Sequence, residues 1–115
     1  MQCTYYYNLY LSESLKADEA KIKKRIRKRK ILKDIYLIVF PQEQRNQLEI
    51  IQASELKQTF YDSFSFFVIG IADSVADATQ FITELTELVY QEENPVGIRE
   101  YLRIRQERYE SYISQ

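Results

Sequence analysis

Two short apolar stretches place the tightest limit on what this 115-residue chain can fold into. Residues 34–41 read DIYLIVFP and residues 65–72 read SFFVIGIA. Their length and their β-branched and aromatic content are typical of buried strands. A helix that spans a bilayer needs about 20 apolar residues, so neither stretch predicts a membrane span. The chain therefore predicts a sheet built around two buried strands.

Two further strands complete the predicted sheet. Residues 4–11 alternate with period 2, which places an apolar face beside a mixed face open to solvent. Residues 48–52 return after a polar loop at 42–47, so they form a hairpin with residues 34–41. A helical turn is expected at 54–58 and a turn at 61–63. Gly70 is expected to allow a bulge or close packing within the last strand.

Three helices follow from the apolar periodicity. The first begins at a Ser12 or Ser14 cap, runs to about residue 30 and has a narrow apolar stripe, which predicts docking by one edge. The second reaches about residue 92 from Ser74, with Asp73 as a competing cap, and its wide stripe predicts that it covers the sheet. The third covers about 96–114.

The order of these elements predicts a single α+β domain over residues 1–115. Residues 1–95 hold the sheet and two helices, and residues 96–115 hold a C-terminal amphipathic helix. The β-α-β-β-β-α-α order predicts a mixed four-stranded sheet with helices mainly on one face. Its first crossover predicts a parallel, right-handed pair of the first two strands, and the hairpin adds an antiparallel pair.

Positive charge is concentrated in one segment. Residues 16–33 hold ten of the sixteen Lys and Arg residues with two acids, a net charge of +8, and the rest of the chain carries −9. The densest run, KIKKRIRKRK, supplies the candidate residues for binding an anion or a partner. These are Lys21, Lys23, Lys24, Arg25, Arg27, Lys28, Arg29 and Lys30.

Several interpretations of this basic run compete. A solvated face, the chain's own acidic surface and an acidic patch on a neighbouring subunit are together favoured, because the pI of about 5.6 is not basic. The alternative is nucleic acid, with the arginines on phosphates and with Tyr6 and Tyr10 stacked on bases. An anionic membrane surface ranks lower, because the apolar stripe is too narrow for interfacial burial.

Composition weighs against most catalytic chemistry. The chain has no His, one Cys (Cys3) and two isolated Gly residues. The commonest general base, a thiolate zinc site and a phosphate-binding glycine loop are therefore missing. We predict no catalytic residue, cofactor, metal or small-molecule ligand, and a cytoplasmic location. A carboxylate-based enzyme near Asp73 and Asp77 is a third alternative, although helix capping is the favoured role for both.

The last helix carries a candidate self-association stripe. Its apolar positions follow a four-three rhythm and include residue types favoured at interfaces. We therefore expect a protein-interaction or regulatory module without catalytic activity, acting as a homodimer. The candidate self-association residues are Ile98, Tyr101, Leu102, Arg105, Tyr109 and Tyr112.

Overall fold

A computed structural model describes residues 1–30, 32–43 and 47–114 and has the α+β fold that the sequence predicts. Residues 44–46 of the predicted loop lie outside the described residues. Short 3-10 helices cover Glu13–Asp18, Ala53–Lys57 and Thr59–Tyr61. The main elements in chain order are β1 (Gln2–Leu11), α1 (Glu19–Arg27), β2 (Tyr36–Val39), β3 (Glu49–Gln52), β4 (Ser65–Ala72), α2 (Val75–Tyr90) and α3 (Ile98–Ile113).

The four strands form one mixed sheet in the order β1-β4-β2-β3. The predicted antiparallel hairpin of β2 and β3 is confirmed. The predicted parallel pair of the first two strands is wrong, because β4 lies between them and is itself the parallel partner of β1. Strand β4 is apolar along nearly its whole length, which suits a position with a neighbour on each side. Strand β1 therefore lies at an edge.

The pairing of β1 with β4 contains a large bulge. Tyr5 pairs with Val68 but Tyr10 pairs with Gly70, so residues 6–9 lie opposite Ile69 alone. A Cβ atom on Gly70 would lie 3.0 Å from the Cβ atom of Tyr10. This close approach confirms the role expected for Gly70. The bulge also ends the period-2 alternation of β1.

Cores lie on both faces of the sheet. On one face, Ile22 and Ile26 of α1 pack in the same cluster as Leu37 and Val68. On the other face, helices α2 and α3 cover the sheet. Two of the three helices thus share a face, and the basic helix lies on the opposite one. The expected solvent-exposed face of β1 is confirmed only in part, because Tyr6 of that face is buried beneath α2 and α3, whereas Thr4 and Asn8 are exposed. This second core consists of Tyr6, Ile38, Ile69, Ala72, Ala78, Leu85, Val89 and Leu102.

The first helix is shorter than predicted. A 3-10 helix follows Ser12, and α1 begins only at Glu19. The side chain of Ser12 does not cap this helix, since it bonds to residues near the start of α2 instead. No helix within the described ranges is both long enough and apolar enough to cross a bilayer.

Candidate functional site

Helix α1 presents the candidate binding surface. Its inward side is the narrow stripe expected from the sequence, with Ile22 and Ile26 buried. Most of the remaining circumference of the helix points to solvent, as do Lys28 and Lys30 after its end. We call the exposed cations here the α1 basic surface: they are Lys21, Lys24, Arg25, Arg27, Lys28 and Lys30.

Arg29 belongs to the fold rather than to this surface. Its backbone has a φ of 55°, at the point where α1 ends. The Arg29 Nε atom donates to the Leu56 carbonyl at 2.6 Å, and Nη2 donates to the Gln58 carbonyl at 2.9 Å. The same guanidinium forms an ion pair with Asp62. Arg29 therefore joins the end of α1 to the segment that precedes β4.

Lys23 is held between α1 and β1. Its ammonium lies 2.7 Å from the Glu19 carboxylate, one helical turn away. The same ammonium is 4.5 Å from the ring centroid of Tyr5, within the range of a cation–π interaction. Lys23 thus stands at the boundary between the basic helix and the edge strand.

A cavity of about 460 Å³ lies along the first residues of β1. Burial raises the pKa of the Cys3 thiol and raises the pKa of Tyr5 to about 12. Both side chains are therefore neutral near pH 7, and the charged side chains in the lining are Lys23 and Arg27. Its lining consists of Met1, Gln2, Cys3, Thr4, Tyr5, Lys23 and Arg27.

The sequence did not reveal this cavity. Strand β1 is easily recognised from its alternation, but its edge position depends on the insertion of β4 between β1 and β2. A polar Gln2 and Thr4 in alternation with Cys3 and Tyr5 are the one local sign of an edge strand.

Negative charge lies on the other side of the sheet. Residues 73–98 contain six acids and no base, and most of this segment forms α2. Helices α1 and α2 pack on opposite faces, so the sheet separates the two charged surfaces. The acids of this segment are Asp73, Asp77, Glu84, Glu87, Glu92 and Glu93.

Asp77 joins β1 to the start of α2. Its carboxylate accepts hydrogen bonds from the hydroxyls of Ser12 and Tyr10, the latter at 2.6 Å. Its backbone N–H donates to Ser74 Oγ at 3.0 Å, so Ser74 is the N-cap that the sequence predicts. These two hydroxyls lower the pKa of Asp77, while burial and the nearby Asp77 carboxylate raise the pKa of Tyr10 to about 12. Both pKa values are therefore shifted away from neutrality, so neither group is suited to proton transfer near neutral pH.

Asp73 has a similar linking role. Its carboxylate accepts a hydrogen bond from the Ser14 hydroxyl at 2.6 Å, and its N–H donates to Ser12 Oγ at 2.9 Å. The segment after β1 is thereby joined to the segment after β4. Strands β1 and β4 are themselves neighbours in the sheet. The carboxylates of Asp73 and Asp77 thus hold these elements together, and the capping role predicted for them is wrong because Ser74 is the N-cap of α2.

The predicted self-association residues divide into two groups. Leu102 is only 1% exposed, and Ile98 and Tyr101 pack against the same core, so these three support the domain itself. Arg105, Tyr109 and Tyr112 lie outside and line a cleft of about 250 Å³. The ring of Tyr109 stacks on Tyr7 with centroids 4.7 Å apart, and Tyr112 is 77% exposed.

The proposed base-stacking role of Tyr6 and Tyr10 is wrong. Tyr6 is only 6% exposed, beneath α2 and α3. Tyr10 stacks on Phe81 of α2 with ring centroids 4.3 Å apart. Neither ring is available as an open platform for nucleic-acid bases.

Within the described part of the chain, no group of three or more His, Cys, Asp or Glu residues is arranged to hold a metal ion. Comparison with protein-family models, curated proteins and solved structures found no match.

Proposed function

We propose that this protein is a binding module that docks the α1 basic surface onto an acidic protein partner and acts by binding rather than by catalysis. The observation that carries this proposal is the separation of charge. Glu84 and Glu87 lie on α2, across the sheet from α1, so they do not neutralise it.

The cations of α1 differ in what they contribute. Lys24, Lys28 and Arg27 are exposed, whereas the side chain of Arg29 is bonded to other residues of the fold. A single exposed ion pair is worth about 0–1 kcal/mol, so affinity would come from several pairs formed together. A clustered field of one sign also raises the rate of association with a partner of opposite sign and makes that rate sensitive to salt.

An acidic protein fits this surface better than nucleic acid does. The rest of the chain is net acidic, which disfavours wrapping by a long polyanion. The tyrosines expected to stack on bases are covered by helices. A compact acidic patch needs neither a broad basic footprint nor an aromatic platform.

The test compares labelled poly-glutamate with a random DNA oligonucleotide. Binding is measured by fluorescence anisotropy at about 0.01 M and about 0.15 M salt, where the Debye length falls from about 30 Å to about 8 Å. We expect the unaltered protein to bind poly-glutamate at low salt. The Lys24→Glu/Lys28→Glu variant should bind it at least about tenfold more weakly, a change of about 1.4 kcal/mol.

A matched variant controls for net charge. Lys57→Glu/Arg108→Glu makes the same charge change at exposed positions outside α1, and we expect less than about a threefold loss. Equal losses in the two variants would overturn α1 as the site. No binding of poly-glutamate, or tighter binding of DNA that depends on Lys24 and Lys28, would overturn the acidic-protein proposal, and the second result would favour nucleic acid.

A further inference from the structure

The outer edge of β1 offers main-chain groups that the sheet does not use. The Gln2 N–H donates to the Phe64 carbonyl at 3.0 Å, so the backbone of Gln2 points toward β4. Backbone direction alternates along a strand, so Thr4 points the same way, and the N–H and C=O groups of Cys3 and Tyr5 point away from the sheet. Unpaired groups of this kind are a template for another strand.

Only the first part of this edge is open. Farther along β1, the Tyr7 N–H donates to Gln106 Oε1 of α3 at 2.8 Å. Within the described residues, no side chain or strand makes the equivalent bond to Cys3 or Tyr5. The open stretch is therefore residues 3–5, with room for a strand of about three or four residues at about 3.3 Å each.

The charge beside this stretch selects the occupant. The open edge borders the 460 Å³ cavity whose lining includes Lys23 and Arg27. Arg27 is exposed and forms no ion pair with any described residue, whereas Lys23 is shared with Glu19. Acidic side chains on the α1 side of an added strand would therefore lie close to positively charged side chains of the cavity lining.

A second copy of the chain fits this edge poorly. Antiparallel pairing of β1 with β1 about a two-fold axis perpendicular to the sheet would continue the sheet and place both α1 helices on the same face. Each helix would then bring its basic surface toward the other, and like charges in proximity oppose association.

We propose that residues 3–5 of β1 accept a short, extended acidic segment of a partner protein as an added strand. Main-chain hydrogen bonds at Cys3 and Tyr5 supply the pairing, and Arg27, with Lys23, selects acidic side chains. This inference rests on the proposed function and adds to it the conformation of the partner and the position where it binds.

The test uses a labelled Glu-Val-Glu-Val-Glu peptide with blocked ends, and Lys-Val-Lys-Val-Lys as its control. The Cys3→Pro variant removes an outward N–H but keeps the inward bonds of Gln2 and Thr4 to β4, because proline is tolerated on edge strands. Cys3→Ala keeps that N–H. We expect at least about a tenfold loss of affinity in Cys3→Pro and in Arg27→Glu, and less than about a threefold loss in Cys3→Ala.

A second measurement does not depend on the folding of a variant. In the unaltered protein, saturating peptide should slow amide hydrogen exchange at Cys3 and Tyr5 at least about tenfold, without the same change at Lys24. Unchanged exchange at both residues would overturn the added strand. Protection of both amides without peptide, in a concentration-dependent manner, would also overturn it by indicating a second copy.

The two proposals fail in different ways. Peptide binding that is lost in Lys24→Glu/Lys28→Glu but kept in Cys3→Pro would overturn the added strand and leave the α1 basic surface as the site. Loss of peptide binding in Cys3→Pro without loss in Lys24→Glu/Lys28→Glu would instead overturn the α1 basic surface as the site and leave the added strand.

Discussion

Arg29 adopts a conformation that usually belongs to glycine. Its φ of 55° lies in the left-handed region, which costs a residue with a Cβ atom about 1–2 kcal/mol. The Arg29 N–H donates to the Ile26 carbonyl and the Lys30 N–H donates to the Arg25 carbonyl, which is the Schellman pattern at a helix end. The side-chain bonds to Leu56, Gln58 and Asp62 offset this cost. In the sequence, Arg29 is indistinguishable from its basic neighbours.

Substitution of Arg29 separates the backbone cost from the side-chain bonds. We expect Arg29→Ala to lower the free energy of unfolding by about 2–3 kcal/mol, because it loses bonds from a charged donor and keeps the strained backbone. Arg29→Gly loses the same bonds but relieves the backbone, so it should cost about 1 kcal/mol less. Urea denaturation measures both values. Equal stability of the two variants would contradict a backbone cost at this position.

Asp77 is the contact through which several elements are held together. Its carboxylate binds hydroxyls from β1 and from the segment after it, while its own backbone lies in the first turn of α2. The sequence motif at residues 74–77 predicts the N-cap but not the bonds of the Asp77 carboxylate, because Tyr10 and Ser12 are more than 60 residues away.

This contact should make stability depend on pH. The hydrogen bonds from Ser12 and Tyr10 lower the folded-state pKa of Asp77 below its usual value of about 3.9. The stabilisation is therefore complete above the unfolded-state pKa and is lost as the pH falls through the folded-state pKa. We expect Asp77→Asn to flatten the decline in the free energy of unfolding between about pH 5 and pH 2, as measured by denaturation at each pH.

A second substitution checks the cause of this pH dependence. Ser12→Ala removes the hydroxyl that makes the largest contribution to the lowered pKa, so it should flatten the same decline partially. If the free energies of unfolding of the parent and of Asp77→Asn decline in parallel across this pH range, Asp77 is not the cause of the pH dependence.

At the scale of the whole molecule, the sheet divides the charge. Basic α1 and acidic α2 cover opposite faces, so a chain with a formal net charge of −1 has two surfaces of opposite sign. Aromatic and guanidinium groups gather at a third place, the exposed part of α3 near Tyr109 and Tyr112. Residues of these types are enriched at protein interfaces.

We predict that the exposed part of α3 mediates self-association. Light scattering should give a dimer for the parent and a monomer for Tyr112→Asp, with similar thermal stability, because Tyr112 is 77% exposed and its replacement does not disturb the core. Leu102→Asp is the contrasting variant: it should unfold the domain, since Leu102 is 1% exposed. A monomeric parent at micromolar concentration would refute this prediction.

The sequence by itself determined the order of the strands and helices along the chain and most of their bounds. Apolar runs and periodicity are local signals, so β4 was predicted with its observed bounds, and the hairpin and the Ser74 cap followed from neighbouring residues. They also determined the α+β class and the narrow docking stripe of α1.

Only the tertiary structure decided how these elements meet. Contacts between distant residues decide the position of β4 beside β1. They also decide the burial of Tyr6 and the bonding of the Arg29 side chain within the fold. Such contacts reflect competition among strands and helices for the same buried space, and no local pattern records its outcome. For this reason the sequence located the positive charge, whereas the fold placed an open strand edge beside it.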